Sequence, residues 1–179
     1  MGYNFNAVRV LIADDSPHLH EIFRVLLGAM RIRDVRFVRH PDDALARMAL
    51  SAPDVVITDL TLGVHDGIDL VRRIRSGENN VDPYTPIIVI TGRTETDLIK
   101  LARDTGANEI LARPVSADCL YNRIVSLIER PRPFIQAPTY FGPDRRRQTK
   151  PFDGRDRRKQ NPVPTSIAGT FRKAERYVR

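Results

Sequence analysis

Short aliphatic runs alternate along this chain with longer stretches whose apolar residues recur at helical spacing. The runs at 8–13 (Val8-Arg9-Val10-Leu11-Ile12-Ala13), 35–39, 54–58 (Asp54-Val55-Val56-Ile57-Thr58), 87–91 (Ile87-Ile88-Val89-Ile90-Thr91) and 109–112 have strand length. Three are nearly all aliphatic, as parallel strands buried on both faces are. Between them, Ser16-Pro17 precedes Ile22, Leu26 and Leu27; Pro41 precedes Ala44, Leu45 and Met48; Thr94-Glu95-Thr96-Asp97 precedes Leu98 and Leu101. The last reads as an acidic capping box, and Gly106 as the stop of the helix it opens. Five such alternations within residues 1–130 predict a (βα)5 domain, an α/β fold with a doubly wound, five-stranded parallel sheet. Aliphatic runs reach only about four residues, far short of the ~20 of a transmembrane segment, so none is expected.

Charge divides the chain where this periodicity ends. Residues 1–130 carry 16 Lys and Arg against 18 Asp and Glu, whereas residues 131–179 carry 13 against 4. Seven of the 13 prolines also lie past residue 130, with Pro131, Pro133 and Pro138 close together. This composition predicts a proline-rich linker at 131–139, followed by a largely disordered basic tail. Within the tail an arginine-rich segment covers 140–162. A terminal stretch, 163–179, carries Ile167, Phe171, Ala174 and Val178 on one stripe and Arg172, Lys173 and Arg176 opposite, which predicts a short basic amphipathic helix. It would pack on its own domain, a partner or a membrane surface. The single cysteine, Cys119, excludes an internal disulfide and a cysteine-based zinc site. The start, Met1-Gly2-Tyr3-Asn4-Phe5-Asn6, shows no secretion or myristoylation signal, so a cytoplasmic protein is expected.

Ligands of open parallel sheets sit at the carboxyl ends of the strands. There the sequence places Asp14 and Asp15, Asp59, Thr91, and Arg113-Pro114. Singly, an acid pair can cap a helix, a threonine can end a strand, and an arginine can be a solvated charge. Together, three carboxylates within reach of one another repel unless a hard divalent cation lies between them, which points to Mg²⁺.

Asp14-Asp15, Asp59 with Asp66-Gly67, Thr91-Gly92, Gly106-Ala107 and a basic residue before Pro114 make residues 7–130 resemble the CheY-like receiver domain of two-component response regulators, a flavodoxin-like fold. The resemblance implies Asp59 as phospho-acceptor, Asp14, Asp15 and Asp59 as the Mg²⁺ residues, and Thr91 and Arg113 as the groups that meet the phosphoryl oxygens. It implies a histidine kinase as phosphoryl donor and a cis Arg113-Pro114 bond. It implies no enzyme beyond autocatalytic phosphotransfer to Asp59. Three positions depart from the family. Arg113 stands for a lysine, and its planar fork is not equivalent to an ammonium. Ile110 stands for an aromatic ring that rotates with the threonine, and Gly63 for a proline.

In the tail, Asp144-Arg145-Arg146-Arg147-Gln148 recurs twelve residues later as Asp156-Arg157-Arg158-Lys159-Gln160. Each copy follows an aromatic residue and a glycine, Phe141-Gly142 and Phe152 with Gly154. Arginine forks onto phosphate or a guanine edge and stacks on purine faces, while aromatics cover the other face. Tyr140, Phe141, Asp144, Arg145, Arg146, Arg147, Phe152, Arg155, Asp156, Arg157 and Arg158 are the candidate contacts. The tail could equally meet nucleic acid, acidic lipid or an acidic protein face non-specifically. A receiver with such an extension resembles the CheY-like cyclic di-GMP effectors. That resemblance implies cyclic di-GMP as ligand, a partner such as a flagellar motor switch component, control of motility or attachment, and recruitment to the cell pole or motor. The alternative is a phosphorylation-dependent regulator whose tail is a protein or nucleic-acid contact. A DNA-binding regulator ranks last, since no helix-turn-helix or winged-helix pattern is present, and no specific DNA partner is expected.

Overall fold

Period-two alternation within each strand decides which layer of helices it meets. The computed structural model describes residues 2–62, 65–92, 95–146, 159–161 and 175–177. In chain order the elements are β1 (Gly2–Asn4), β2 (Arg9–Ala13), α1 (Pro17–Ala29), β3 (Asp34–Val38), α2 (Pro41–Leu50), β4 (Val55–Asp59), β5 (Thr61–Leu62), β6 (His65–Asp66) and α3 (Gly67–Arg75). A 3-10 turn (Glu78–Asn80) leads to β7 (Ile87–Thr91), α4 (Thr96–Thr105), β8 (Glu109–Ala112), α5 (Ala117–Glu129), β9 (Phe134–Ala137), β10 (Tyr140–Pro143), β11 (Lys159–Asn161) and β12 (Glu175–Tyr177).

The central sheet has the order β3-β2-β4-β7-β8, every pair parallel, so the (βα)5 expectation holds. Val10, Ile12, Val55, Ile57, Ile88 and Ile90 face Phe23 and Leu27 of α1 and Leu120, Ile124 and Leu127 of α5. The intervening Leu11, Ala13, Val56, Ile87 and Val89 face Leu45 and Met48 of α2, Leu70 and Ile74 of α3, and Ala102 of α4. Filling both faces with side chains almost devoid of solvent contact is the main stabilising term, at roughly 1.5–3 kcal/mol per large aliphatic residue.

Local signals set the helix ends. Ser16 caps α1 by accepting from Leu19 N, and Pro17 takes the first helical position. Gly106 ends α4 with φ of +112°, in the left-handed region. The expected capping box of α4 differs: Glu95 holds the cap position, with no side-chain cap hydrogen bond.

The C-terminal region departs further from the sequence expectation. Residues 131–139 are not a spacer: β9 and β10 form an antiparallel hairpin, with Phe134 opposite Pro143 and Ala137 opposite Tyr140, and β11 adds to the other edge of β9. The hairpin packs because Phe134 and Ile135 are buried and the rings of Tyr84, Phe134 and Phe141 cluster at 5.0–5.5 Å. Buried Arg75 anchors it. Its guanidinium lies 5.2 Å from the Phe134 ring centroid and donates to the carbonyls of Gly106, Pro83 and Thr85 and to Asn108 Oδ1, at 2.7–2.9 Å. Burial lowers the Arg75 pKa to about 9, which leaves it charged at neutral pH. Glycine is required where the hairpin meets the receiver, since a Cβ on Gly142 would lie 2.9 Å from Gly106 Cα. At the chain's end, Glu175–Tyr177 is a strand antiparallel to Gly2–Asn4 and not helix. A pairing between the two ends of the sequence outweighs the local stripe there. The rest of the predicted 163–179 helix lies outside the described residues. Among the described residues no helix is long and apolar enough to cross a membrane.

Candidate functional site

The ends of β2, β4, β7 and β8 bring four of the expected side chains to one crevice. Asp14 follows β2 and is almost wholly buried; Asp59 ends β4 and Thr91 ends β7, both buried. Asp14 is fixed from three sides: its amide donates to Val38 O at 3.0 Å, its Oδ1 accepts from Ser16 N at 2.8 Å, and its carbonyl accepts from His20 Nε2 at 2.6 Å. His20 is itself buried and lies 4.6 Å from the Phe37 ring. Nothing in its spacing marked it in the sequence.

The carboxyl end of β4 depends on one glycine. A Cβ on Gly67 would stand 1.9 Å from Asp59 O, and Gly67 N donates to Leu60 O at 2.9 Å. The start of α3 therefore presses on the Asp59 backbone, a contact open to glycine alone. The pair Asp66-Gly67 is visible in the sequence, but its partner across the loop is not.

Arg113 occupies the middle of the crevice. Its Nη2 lies 2.8 Å from Asp59 Oδ2 and 3.1 Å from Asp14 Oδ2, its amide donates to Thr91 O at 2.8 Å, and the Arg113-Pro114 bond is cis. Its Nε is buried without a hydrogen-bond partner. One guanidinium thus serves as counter-charge to two buried carboxylates. Even so, Asp14 titrates above its usual range, because burial and then the Asp59 and Asp15 charges outweigh the Ser16 amide and Arg113. The crevice keeps an excess of negative charge.

Asp15 is exposed at the rim, and among the described residues no three acidic or imidazole groups converge as a metal cluster. The structure joins Asp14 and Asp59 through Arg113, with Asp15 at the rim near enough for its charge to act on Asp14. Two carboxylates with surplus charge suit a hard cation such as Mg²⁺, which takes one or two carboxylates and keeps its waters. Asp14 and Asp59 would hold it, in competition with Arg113. Ile110 is partly buried against the aliphatic core, as its side chain dictates. Gly63 lies outside the described residues.

The tail candidates divide. Tyr140 is buried, donates to Pro143 O at 2.6 Å, and lies under the Arg145 guanidinium at 4.1 Å. Burial raises its pKa above the usual 10.0, against the lowering pull of Arg145. Phe141 belongs to the aromatic cluster with Tyr84 and Phe134, so its ring is engaged in hairpin packing. Asp144 accepts from Arg146 N through Oδ1 at 3.0 Å, and its amide donates to Pro133 O at 2.7 Å. Arg145 pairs with Asp104 of α4 at 3.2 Å. Arg147, Phe152, Arg155, Asp156, Arg157 and Arg158 lie outside the described residues. Sequence reasoning missed Arg132, whose guanidinium donates to the carbonyls of Asp144 and Asn108 and joins the hairpin to β8.

A family model for the response regulator receiver domain matches residues 10–125. Over 125 residues the chain is 30% identical to the response regulator protein PilR of Pseudomonas aeruginosa, a match to 70% of this chain and 27% of PilR. It is 29% identical over 123 residues to the transcriptional regulatory protein TrcR of Mycobacterium tuberculosis, covering 69% of this chain and 46% of TrcR. The chain thus spans less than half the length of either relative. Among solved structures, it is similar to the receiver domain of the sensor histidine kinase PA1611 from Pseudomonas aeruginosa, with a TM-score of 0.57, 25% identity, and coverage of 70% of this chain and 96% of that one. That structure has a magnesium ion coordinated in its active-site cleft. A putative response regulator from Chloroflexus aurantiacus gives a TM-score of 0.60 at 26% identity, covering 65% and 93%. The matched residues take in all five strands of the parallel sheet and the acids at their carboxyl ends, and the chain belongs to the response regulator receiver family of signalling modules.

Proposed function

We propose that this receiver takes its main input as cyclic di-GMP, bound through the arginine-rich C-terminal segment, and that the liganded form docks on a partner protein such as a flagellar motor switch component to control motility or attachment. The observation that carries this reading is Arg113. Its guanidinium bridges Asp59 and Asp14, so the acceptor crevice already holds a cation on a tether. Ile110 has no ring to rotate as a phosphoryl signal is relayed. Meanwhile Arg132 and Arg145, on either side of the hairpin, reach Asn108 and Asp104 of the receiver, which gives the segment a fixed platform. Guanidinium forks suit the phosphodiesters and guanine edges of such a ligand.

A second reading has its own support. Asp59 is a buried carboxylate at a strand end beside Thr91, placed as a nucleophile toward a phosphoryl group would be. In that reading Asp59 takes the phosphoryl group from the phosphohistidine of a kinase, Asp14 and Asp59 would hold a Mg²⁺ that would supply charge neutralisation there, and Thr91 with Arg113 would meet the phosphoryl oxygens.

Calorimetric titration of the full chain with cyclic di-GMP, with GTP and a short DNA duplex as controls, separates the two. Selective micromolar or tighter binding that is lost on replacing Arg145, Arg146 and Arg147 with Ala is the expected result. No selective binding, together with stable phosphoryl incorporation at Asp59, would move the function to the second reading.

A further inference from the structure

An open cleft of about 500 Å³ lies between α4, β8 and α5 of the receiver, with Arg132 and Arg145, on either side of the hairpin, at its edge. Four arginines line it, each from a different segment: Arg103 from α4, Arg123 from α5, Arg132 from before β9 and Arg145 from after β10. Ile99 and Ile110 give it an apolar wall, and Thr91 lies at its crevice end.

Among the described residues, Glu109 and Asp104 pair with three of these cations, while Arg132 donates to the carbonyls of Asp144 and Asn108. Glu109 pairs with Arg123 at 3.0 Å. Asp104 lies between the receiver and the hairpin, its Oδ1 3.0 Å from Arg103 Nε and 3.2 Å from Arg145 Nη1. Two guanidinium groups from separate segments thus converge on one oxyanion, the arrangement that binds a phosphate oxygen. All three side chains are 41–45% exposed. Ion pairs so open to water contribute little, so an incoming phosphate can take the place of Asp104 at small cost. The aliphatic side chains of Ile99 and Ile110 beside the charges can cover one purine face, with guanidinium planes to stack on the other.

Resting on the cyclic di-GMP reading above, we infer that this cleft is the ligand site, that the receiver's own Arg103 and Arg123 supply half of it, and that Asp104 holds the phosphate position until ligand arrives.

Calorimetry on the full chain with cyclic di-GMP tests the assignment, using the parent, Arg103→Ala/Arg123→Ala, Arg103→Glu, Asp104→Asn and, as a control away from the cleft, the exposed Arg47→Ala of α2. The double change is expected to weaken binding at least tenfold, Asp104→Asn to tighten it several-fold, and Arg47→Ala to leave it unaltered. Arg103 is exposed, so Arg103→Glu reads the site without a folding penalty, and it should weaken binding as much as the double change. Parent-like affinity in both arginine variants would overturn the cleft while leaving the cyclic di-GMP reading intact. No binding by the parent would overturn both.

Discussion

Arg113→Ala removes the nitrogen that lies 2.8 Å from Asp59 and 3.1 Å from Asp14. Two carboxylates whose side chains are 8% and 3% exposed would then face each other with no counter-charge. At an effective dielectric near 20, each contact represents about 5–6 kcal/mol of Coulomb attraction, much of it offset by desolvation. Deleting one member of a buried pair costs about 3–5 kcal/mol, and because Arg113 is 28% exposed the lower end, about 3 kcal/mol, applies. In a chain of this size that lowers Tm by roughly 6–12 °C. The penalty has a pH signature. Losing Arg113 removes a charge that holds the Asp14 pKa down, so that pKa rises further above the usual 3.8 and the native state binds more protons there than the unfolded chain. Stability then declines as pH rises through the window, and the deficit is full at neutral pH and fades on acidification. The assay is thermal unfolding followed by circular dichroism, for parent and variant, at neutral and acidic pH, in chelator and in millimolar Mg²⁺. Mg²⁺ should restore much of the variant's Tm and change the parent's little, since the parent carries its own cation. Equal Tm values in chelator, or an equal Mg²⁺ response, would refute the account of Arg113 as shared counter-charge.

Three further outcomes follow from the packing. Gly67→Ala puts a methyl group 1.9 Å from Asp59 O, so the carbonyl must retreat; denaturant unfolding should show a loss of about 1–3 kcal/mol. Arg75→Met leaves the Pro83, Thr85 and Gly106 carbonyls without their donor, at a cost of about 3 kcal/mol, and should expose Phe134 and Phe141 to limited chymotrypsin cleavage. Burial holds the Tyr140 phenol protonated above pH 10.0, so its contribution to hairpin docking is complete below that pH and is lost as pH rises through its raised native pKa. Tyrosinate absorbance should show one late-titrating tyrosine in the parent that is missing in Tyr140→Phe.

The parallel sheet was legible because Val10 to Ala13, Val55 to Ile57 and Ile87 to Ile90 have no polar interruption, and Ser16 and Gly106 mark helix ends by chemistry that needs no tertiary partner. The hairpin was hidden behind its prolines. Phe134-Ile135 and Tyr140-Phe141 flank Pro138-Thr139 as strands flank a turn, yet Pro131, Pro133 and Pro138 together read as a spacer. What decided the matter is remote in sequence: Arg75 and Tyr84 on the receiver, and the bare surface of Gly106. The terminal strand is similar, since its partner is Gly2–Asn4 at the opposite end of the chain. At the site, the sequence marked Asp14, Asp59, Thr91 and Arg113 as neighbours. It did not show that one guanidinium would span both acids, which depends on where β8 ends relative to β2 and β4. Arg103 and Arg123 carried no signal of their own, being ordinary polar positions of helices until the hairpin sets Arg132 and Arg145 beside them.

Hydrogen exchange on the full chain, with cyclic di-GMP in one arm and beryllofluoride with Mg²⁺ in the other, tests most directly whether the proposed cyclic di-GMP binding or phosphorylation at Asp59 is the dominant input. The account predicts that cyclic di-GMP slows exchange across α4, β8 and the β9–β10 hairpin, while the phosphoryl mimic leaves the hairpin unchanged. Slowing of the hairpin by beryllofluoride alone, with none from cyclic di-GMP, would contradict it and make Asp59 the switch.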